Sequence, residues 1–293
     1  MSPSIATFRQ LLEASELIVA PGAYDAITAR LVEQAGFPLV YMTGAGAAAA
    51  RGYPDYGLLT MSEMVDTAGV MARSVSVPVL ADADTGFGNE LNVTRTVQEY
   101  EACGVAGMHL EDQVSPKRCG HLDGKQVIDR DRFTSLITAA VAARRSDDFV
   151  IIARTDAVAT VGLDEAIDRA NAALDVGADV AFVEALTTIE DLAAVPTRVH
   201  GPCLLNVVPG GKTPMRDMTE IASLGYRIAI CPGLLLGATV FIGDMVLKEL
   251  ADTKVHPSSG KGSPGDFFAR FGGAEWDVVR ARFATDEPSR SVR

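Results

Sequence analysis

Gly104-Val105-Ala106-Gly107-Met108-His109-Leu110-Glu111-Asp112 contains, in miniature, the unit from which most of the chain is built. Gly104 follows an apolar helical face and suits the left-handed cap with which a helix ends. The run 107–110 is apolar without alternation, as expected of a strand buried on both faces of a parallel sheet. Glu111-Asp112 then sets carboxylates at the strand's carboxyl end. Outward from this segment the same cadence recurs, with apolar runs at 17–20, 39–43, 78–81, 149–153, 180–183, 203–207 and 227–231. Gly36 and Gly177 stand before their strands as Gly104 does. Eight such strands, separated by helix-length amphipathic stretches, are the number that closes a (β/α)₈ TIM barrel. An open doubly wound sheet has the same local pattern, but eight units with no domain break favour closure.

The barrel is expected over residues 1–251. Ser, Gly, Pro and Lys dominate 256–265, a composition that cannot pack a core, so 252–265 reads as a linker. Residues 266–293 read as a C-terminal helical extension, with apolar side chains at helical spacing in 266–271 and 275–283.

At 293 residues and 48% hydrophobic composition the chain can bury a full core. A formal net charge of −12 argues against a nucleic-acid partner, which requires a basic surface. The longest apolar stretches are interrupted too early to cross a bilayer, and residues 1–16 lack a basic segment followed by an apolar core. Cys103, Cys119, Cys203 and Cys231 are widely spaced and read as reduced thiols. The expectation is therefore a soluble, cytoplasmic protein with no membrane partner.

Active residues of a barrel sit at the carboxyl ends of its strands. Asp82 and Asp84 follow the third strand, Glu111 the fourth, Arg154 and Asp156 the fifth, Glu184 the sixth and Asn206 the seventh. Two apart on an extended segment, Asp82 and Asp84 are expected on one face, sharing a hard cation with Glu111. Carboxylates without histidine or cysteine neighbours suit Mg²⁺, or Mn²⁺, rather than zinc. Single strand-end aspartates more often cap helices or pair with arginines; three converging carboxylates favour a metal. Lys117-Arg118-Cys119-Gly120-His121 concentrates cations around one thiol, which is expected to favour thiolate and to equip Cys119 for proton transfer or nucleophilic work. A solvated basic loop with an incidental cysteine is the plainer alternative.

Two stretches imitate nucleotide sites. Gly44-Ala45-Gly46-Ala47-Ala48-Ala49 resembles a dinucleotide fingerprint, but Arg51-Gly52-Tyr53-Pro54 is expected to interrupt the helix it needs. Gly211-Lys212-Thr213 resembles the end of a P-loop, yet Pro214 follows at once and Asn206 stands where the first glycine belongs. A loop closing over the site is the better reading of that segment.

Thr43-Gly44-Ala45-Gly46, the run 82–89, Glu111-Asp112-Gln113, Lys117-Arg118-Cys119-Gly120-His121 and Ala153-Arg154-Thr155-Asp156-Ala157 together resemble the isocitrate lyase/phosphoenolpyruvate mutase superfamily over nearly the whole chain. The cysteine motif is similar to that of the 2-methylisocitrate lyase-like branch, which includes dimethylmalate lyase and carboxyphosphonoenolpyruvate mutase. The resemblance implies a Mg²⁺-dependent carbon–carbon lyase that cleaves a 2-hydroxy di- or tricarboxylate to pyruvate. It implies Asp82, Asp84 and Glu111 as metal carboxylates and Asp55 near the metal. It further implies Thr43, Gly44 and Ala45 on the pyruvyl carboxylate, Arg154 on the substrate, Glu184 and Asn206 as substrate-contacting or supporting groups, and Cys119 as general acid. Lys117, Arg118 and His121 complete the catalytic set. It also implies a homotetramer in which C-terminal helices are exchanged between subunits. Carboxyphosphonoenolpyruvate mutase chemistry and hydrolysis of oxaloacetate are the enzymatic alternatives. A non-catalytic binding barrel would be suggested by loss of Cys119, Asp84 or Arg154, and all three are present.

Overall fold

The computed structural model describes residues 7–257 and 263–284. In chain order the first half contains α1 (Phe8–Glu13), β1 (Ile18–Ala23), α2 (Ala26–Gln34), β2 (Val40–Met42), α3 (Gly44–Ala50), α4 (Met61–Ser74), β3 (Val79–Asp82), α5 (Glu90–Ala102), β4 (Gly107–Glu111) and α6 (Arg130–Ala143). There follow β5 (Val150–Thr155), α7 (Val158–Val161), α8 (Leu163–Asp175), β6 (Val180–Val183), α9 (Ile189–Arg198), β7 (Cys203–Asn206), α10 (Met218–Ser223), β8 (Ile228–Cys231), α11 (Leu234–Thr253), α12 (Pro264–Ala269) and α13 (Gly273–Phe283).

The eight strands pair in parallel, each with the next, and β8 closes onto β1, Ile18 lying opposite Ile228. Strand positions agree with the apolar runs of the sequence to within a few residues. Helix starts are set by side-chain caps: Asp25 with Thr28, Thr60 with Glu63, and Asn89 with Asn92 each satisfy one another's backbone donors reciprocally. Gly36, Gly104 and Gly177 all adopt positive φ, at 86°, 95° and 105°, as the helix-ending role requires.

The barrel interior is a closed apolar layer of Ile18, Leu80, Val150, Phe182, Leu204 and Ile230, among others, and Phe8 of α1 packs against it with no exposed surface. The amino-terminal end is thus plugged, and polar groups at the other end have the only open mouth a packed barrel offers. Among the described residues no helix is long and apolar enough to cross a membrane.

The chain divides into two compact units after Thr239. In the second, α12 and α13 and the rest of α11 bury no side chain; Phe241, Met245, Phe268, Trp276 and Phe283 are all more than half exposed. The expected linker over 252–265 is helical at both margins, since α11 runs to Thr253 and α12 starts at Pro264, while 258–262 lie outside the described residues.

One local expectation needs correction. The extended segment of β3 stops at Asp82; Asp84 has φ 45°, so its side chain is aimed by a left-handed turn and not by strand alternation. The alanine-rich run after β2 behaves as expected: it forms only a two-turn helix, α3, which Arg51 and Gly52 (φ 81°) terminate.

Candidate active site

The carboxyl ends of β2 to β7 bring most of the expected side chains into one buried cluster. Thr43 leaves β2 as the cap of α3, its Oγ1 accepting the Gly46 N–H at 3.4 Å. Gly44 donates its N–H to Asp82 Oδ2 at 3.2 Å, and a Cβ at Gly44 would lie 2.4 Å from that oxygen, so only glycine lets the two strands' ends approach. Ala45 beside them is half-buried. Asp82 Oδ1 accepts the Asp84 N–H at 2.9 Å, which holds the left-handed turn in place.

Lys117 reaches in from the loop after β4. Its ammonium lies 2.5 Å from Asp55 Oδ1 and 2.9 Å from Asp84 Oδ1. Burial disfavours its charge, but Asp84, Asp82 and Glu111 outweigh that and keep it protonated. Burial also raises the Asp84 carboxyl, to about 6, against the pull of Lys117.

Arg154 on β5 is the hub. Its Nε donates to Asp156 Oδ2 at 2.9 Å and its Nη2 to Asp156 Oδ1 at 3.2 Å. Glu111 Oε2 is 3.1 Å from the same Nε, and Glu184 Oε2 is 3.4 Å from Nη2. The guanidinium also stands 5.0 Å above the Phe182 ring. Asp112 sits behind, accepting from the Thr155 hydroxyl, the Asp156 N–H and Arg169, and so anchors the end of β5.

Glu184 accepts from Asn206 Nδ2 at 3.0 Å, and its other oxygen is 3.3 Å from His121 Nε2. His121 Nδ1 accepts the Lys212 N–H at 3.0 Å, so the ring carries its proton on Nε2, facing Glu184. Burial lowers the His121 pKa, which keeps the ring neutral. The segment that imitated a P-loop therefore docks on the cysteine loop, and Lys212 adds an ion pair to Asp123 at 2.6 Å.

Cys119 is half-buried, and burial, reinforced by the Asp55 carboxylate, pushes its thiol pKa up. This reverses the expected thiolate: Lys117 is already paired with Asp55 and Asp84, His121 is neutral, Arg118 is exposed, and desolvation decides. Cys119 is a protonated thiol, suited to donating a proton. Arg118 is the expected residue that is not brought in. Its side chain is exposed, and only its backbone is held, by two hydrogen bonds to the Gln113 side chain.

Neither carboxylate oxygen of buried Glu111 receives a hydrogen bond, and burial raises its pKa well above the ordinary value. Its ion pair with Arg154 leaves Glu111 Oε1 without a partner, and an unpartnered buried carboxylate oxygen fits a further hard cation. Among the described residues no three carboxylate, histidine or cysteine side chains converge closely enough to ligate one ion directly. Oxygen donors of this kind fit a hard divalent cation held partly through water.

Three participants were missed in the sequence. Tyr41 and His109 form a buried pair inside the barrel, the hydroxyl 2.9 Å from Nε2; both sit within apolar strand runs and carry no local signal. Lys125, a few residues past the cysteine motif, pairs with Asp156 at 2.7 Å with its side chain only 1% exposed. In the sequence it reads as one more surface lysine.

A parallel barrel with buried carboxylates, an arginine hub and a protonated thiol at the carboxyl ends of its strands has the layout of a barrel enzyme. A family model, phosphoenolpyruvate phosphomutase, matches residues 8–250. The chain is 45% identical to 2,3-dimethylmalate lyase of Eubacterium barkeri, over 84% of each chain. It is 42% identical to a 2-methylisocitrate lyase of Aeropyrum pernix, over 83% of this chain and 79% of that one. A structure of oxaloacetate acetylhydrolase with 3,3-difluorooxalacetate superposes with a TM-score of 0.91 at 40% identity, over 95% of this chain and 96% of that one. Phosphonopyruvate hydrolase in complex with oxalate and Mg²⁺ superposes with a TM-score of 0.84 at 31% identity, over 94% and 97%. The chain belongs to the phosphoenolpyruvate phosphomutase family, and its relatives make it a carbon–carbon lyase.

Proposed function

We propose that the chain is a Mg²⁺-dependent lyase that breaks the C2–C3 bond of a 2-hydroxy, 2-alkyl di- or tricarboxylate such as 2-methylisocitrate or 2,3-dimethylmalate. The products are pyruvate and a carboxylic acid. The observation that carries this reading is a thiol kept protonated on a loop that packs against a buried arginine–glutamate–histidine cluster.

Asp82, Asp84 and Glu111 would hold the Mg²⁺, or Mn²⁺ in its place. When bound, the cation supplies a Lewis acid that polarises the substrate's 2-hydroxyl and 1-carboxylate oxygens. The segment Thr43-Gly44-Ala45 takes the pyruvyl carboxylate through the Thr43 hydroxyl and the Ala45 N–H, while the Gly44 N–H holds Asp82 beside it. Lys117, fixed between Asp55 and Asp84, adds positive charge at that end of the site. Arg154 meets the departing fragment, steadied by Asp156 and Glu184, while Asn206 orients Glu184. As the bond breaks, its electron pair passes to C3, and the Cys119 thiol donates its proton there. The 2-hydroxyl releases one proton to solvent as the carbonyl forms and the Cys119 thiolate regains one from solvent, so the reaction is proton-neutral overall and no water is consumed. His121, neutral with its Nε2–H on Glu184, orients the loop and keeps its packing dry. Arg118 has no role in this scheme that its exposed position supports.

The exposed apolar side chains of α11 and α13 support a homo-oligomer, in which a second copy of the chain covers Phe241, Trp276 and Phe283, and a tetramer built by helix exchange is the form proposed. The half-buried and buried thiols are compatible with the reducing cytoplasm.

The test is pyruvate release from a panel of 2-alkylmalates, 2-methylisocitrate and 2,3-dimethylmalate, with Mg²⁺ and with EDTA. Pyruvate from one of them, abolished by EDTA, supports the lyase; silence from folded, metal-loaded protein refutes it. Likeness to oxaloacetate acetylhydrolase favours one second reading, hydrolysis of oxaloacetate, whose sign is oxalate and acetate with no pyruvate.

A further inference from the structure

We propose that Lys125 is the latch of the cysteine loop, a positioning residue that holds Cys119 over the site and ties loop closure to the orientation of Arg154. Its Nζ donates to the Gly120 carbonyl at 2.5 Å and to Asp156 Oδ1 at 2.7 Å. Gly120 is the residue after Cys119, so the first bond fixes the Gly120–His121 peptide, one residue past the thiol. Asp156 is also the two-point partner of Arg154, so one carboxylate joins the latch to the substrate-facing guanidinium.

Two features separate a latch from a general stabiliser. Asp156 already faces Arg154 through both its oxygens, so a second buried cation is not required to neutralise it. Gly120 is seated directly on the hub: a Cβ there would lie 2.4 Å from Arg154 Nη2 and 2.6 Å from Glu184 Cγ. The backbone must therefore come all the way down for the loop to close, and Lys125 is the cation that meets it. Around this point Leu122, Asp123 and Gly124 are exposed, so the tip of the loop gains little from burial. Its closed position depends on polar ties: Lys125 to Gly120, Lys212 to His121 and to Asp123, the neutral His121 to Glu184, and Gln113 to Arg118. Of these, the Lys125 bond alone combines a charged donor with burial of both partners.

This inference rests on the lyase reading only for its catalytic consequence, and the test of the latch uses no substrate. Alkylation of Cys119 by iodoacetamide, followed cysteine by cysteine with mass spectrometry, reports opening of the loop. In the full-length protein, Lys125→Met should raise the Cys119 rate about tenfold or more, the factor that loss of a charge-assisted hydrogen bond places on the open–closed balance. Cys103, Cys203 and Cys231 should keep their wild-type rates. A folded Lys125→Met protein with unchanged Cys119 reactivity overturns the latch. If Lys125→Met unfolds, all four thiols react together, and Lys125→Gln, whose amide still fills the space, carries the same test. Selective exposure of Cys119 in that variant supports the latch, and protection equal to wild type overturns it. Should selective exposure occur in a protein that releases no pyruvate from any substrate, the latch stands and the lyase reading falls.

Discussion

Replacing Asp156 by asparagine removes one negative charge from between two buried cations, and the structure sets the size of the effect. Burial raises the Asp156 carboxyl, yet Arg154 and Lys125 outweigh it and hold the pKa at about 2, below the ordinary 3.8. The difference between those two values corresponds to about 2 kcal/mol of folding stability at neutral pH. The general cost of breaking a buried ion pair, roughly 3–5 kcal/mol, is an upper bracket, because Arg154 retains Glu111 and Glu184 as partners. The sign follows from the lowered pKa: the contribution is complete above pH 3.8 and is lost as the pH falls through 2. The assay is urea unfolding of wild type and Asp156→Asn at pH 7 and pH 3. The gap should be about 2 kcal/mol at pH 7 and about half of that at pH 3. A gap under about 0.5 kcal/mol at pH 7, or one that does not shrink at pH 3, refutes the electrostatic account of this hub.

His109 is held neutral by burial, with a pKa near 4 against an ordinary 6.5, so stability present above pH 6.5 should be lost as the pH falls towards 4. That loss amounts to about 3 kcal/mol, and His109→Asn should flatten the slope of unfolding free energy over that range. Gly120→Ala places a Cβ against Arg154 and Glu184 and should lower kcat/KM about 100-fold or more with a change in Tm of only a few degrees; steady-state kinetics on the preferred substrate checks it. Phe241→Lys sets a charge on the exposed apolar face of α11 and, on the proposed homo-oligomer, should shift the mass in light scattering towards smaller species, whereas an unchanged mass would remove that face from the proposed interface.

The barrel was legible because its evidence is periodic: apolar runs such as 180–183 and 203–207 and the glycine caps report burial and chain reversal locally. That Asp82, Glu111, Arg154 and Glu184 share one buried cluster was legible because strand ends are where a barrel gathers its polar groups, but the direct convergence of three carboxylates on one ion was not met. What escaped depends on encounters between distant segments. Lys125 and Asp156 meet across 31 positions, and Tyr41 and His109 across 68, so neither pair leaves a spacing pattern. The state of Cys119 was misread for a related reason. Counting cations along the loop ignores that Lys117 is committed to Asp55 and Asp84, and that burial raises the thiol pKa. The left-handed Asp84 shows the same limit for geometry, because a one-residue change of backbone region voids the alternation rule.

The most direct measurement compares wild type and Cys119→Ser for pyruvate release from the preferred substrate at saturating Mg²⁺, with circular dichroism confirming equal folding. Loss of a positioned proton donor should lower kcat by about 10²–10⁴-fold while KM changes little. A serine variant that turns over within twofold of wild type would contradict protonation by the thiol, and with it the mechanism proposed for this site.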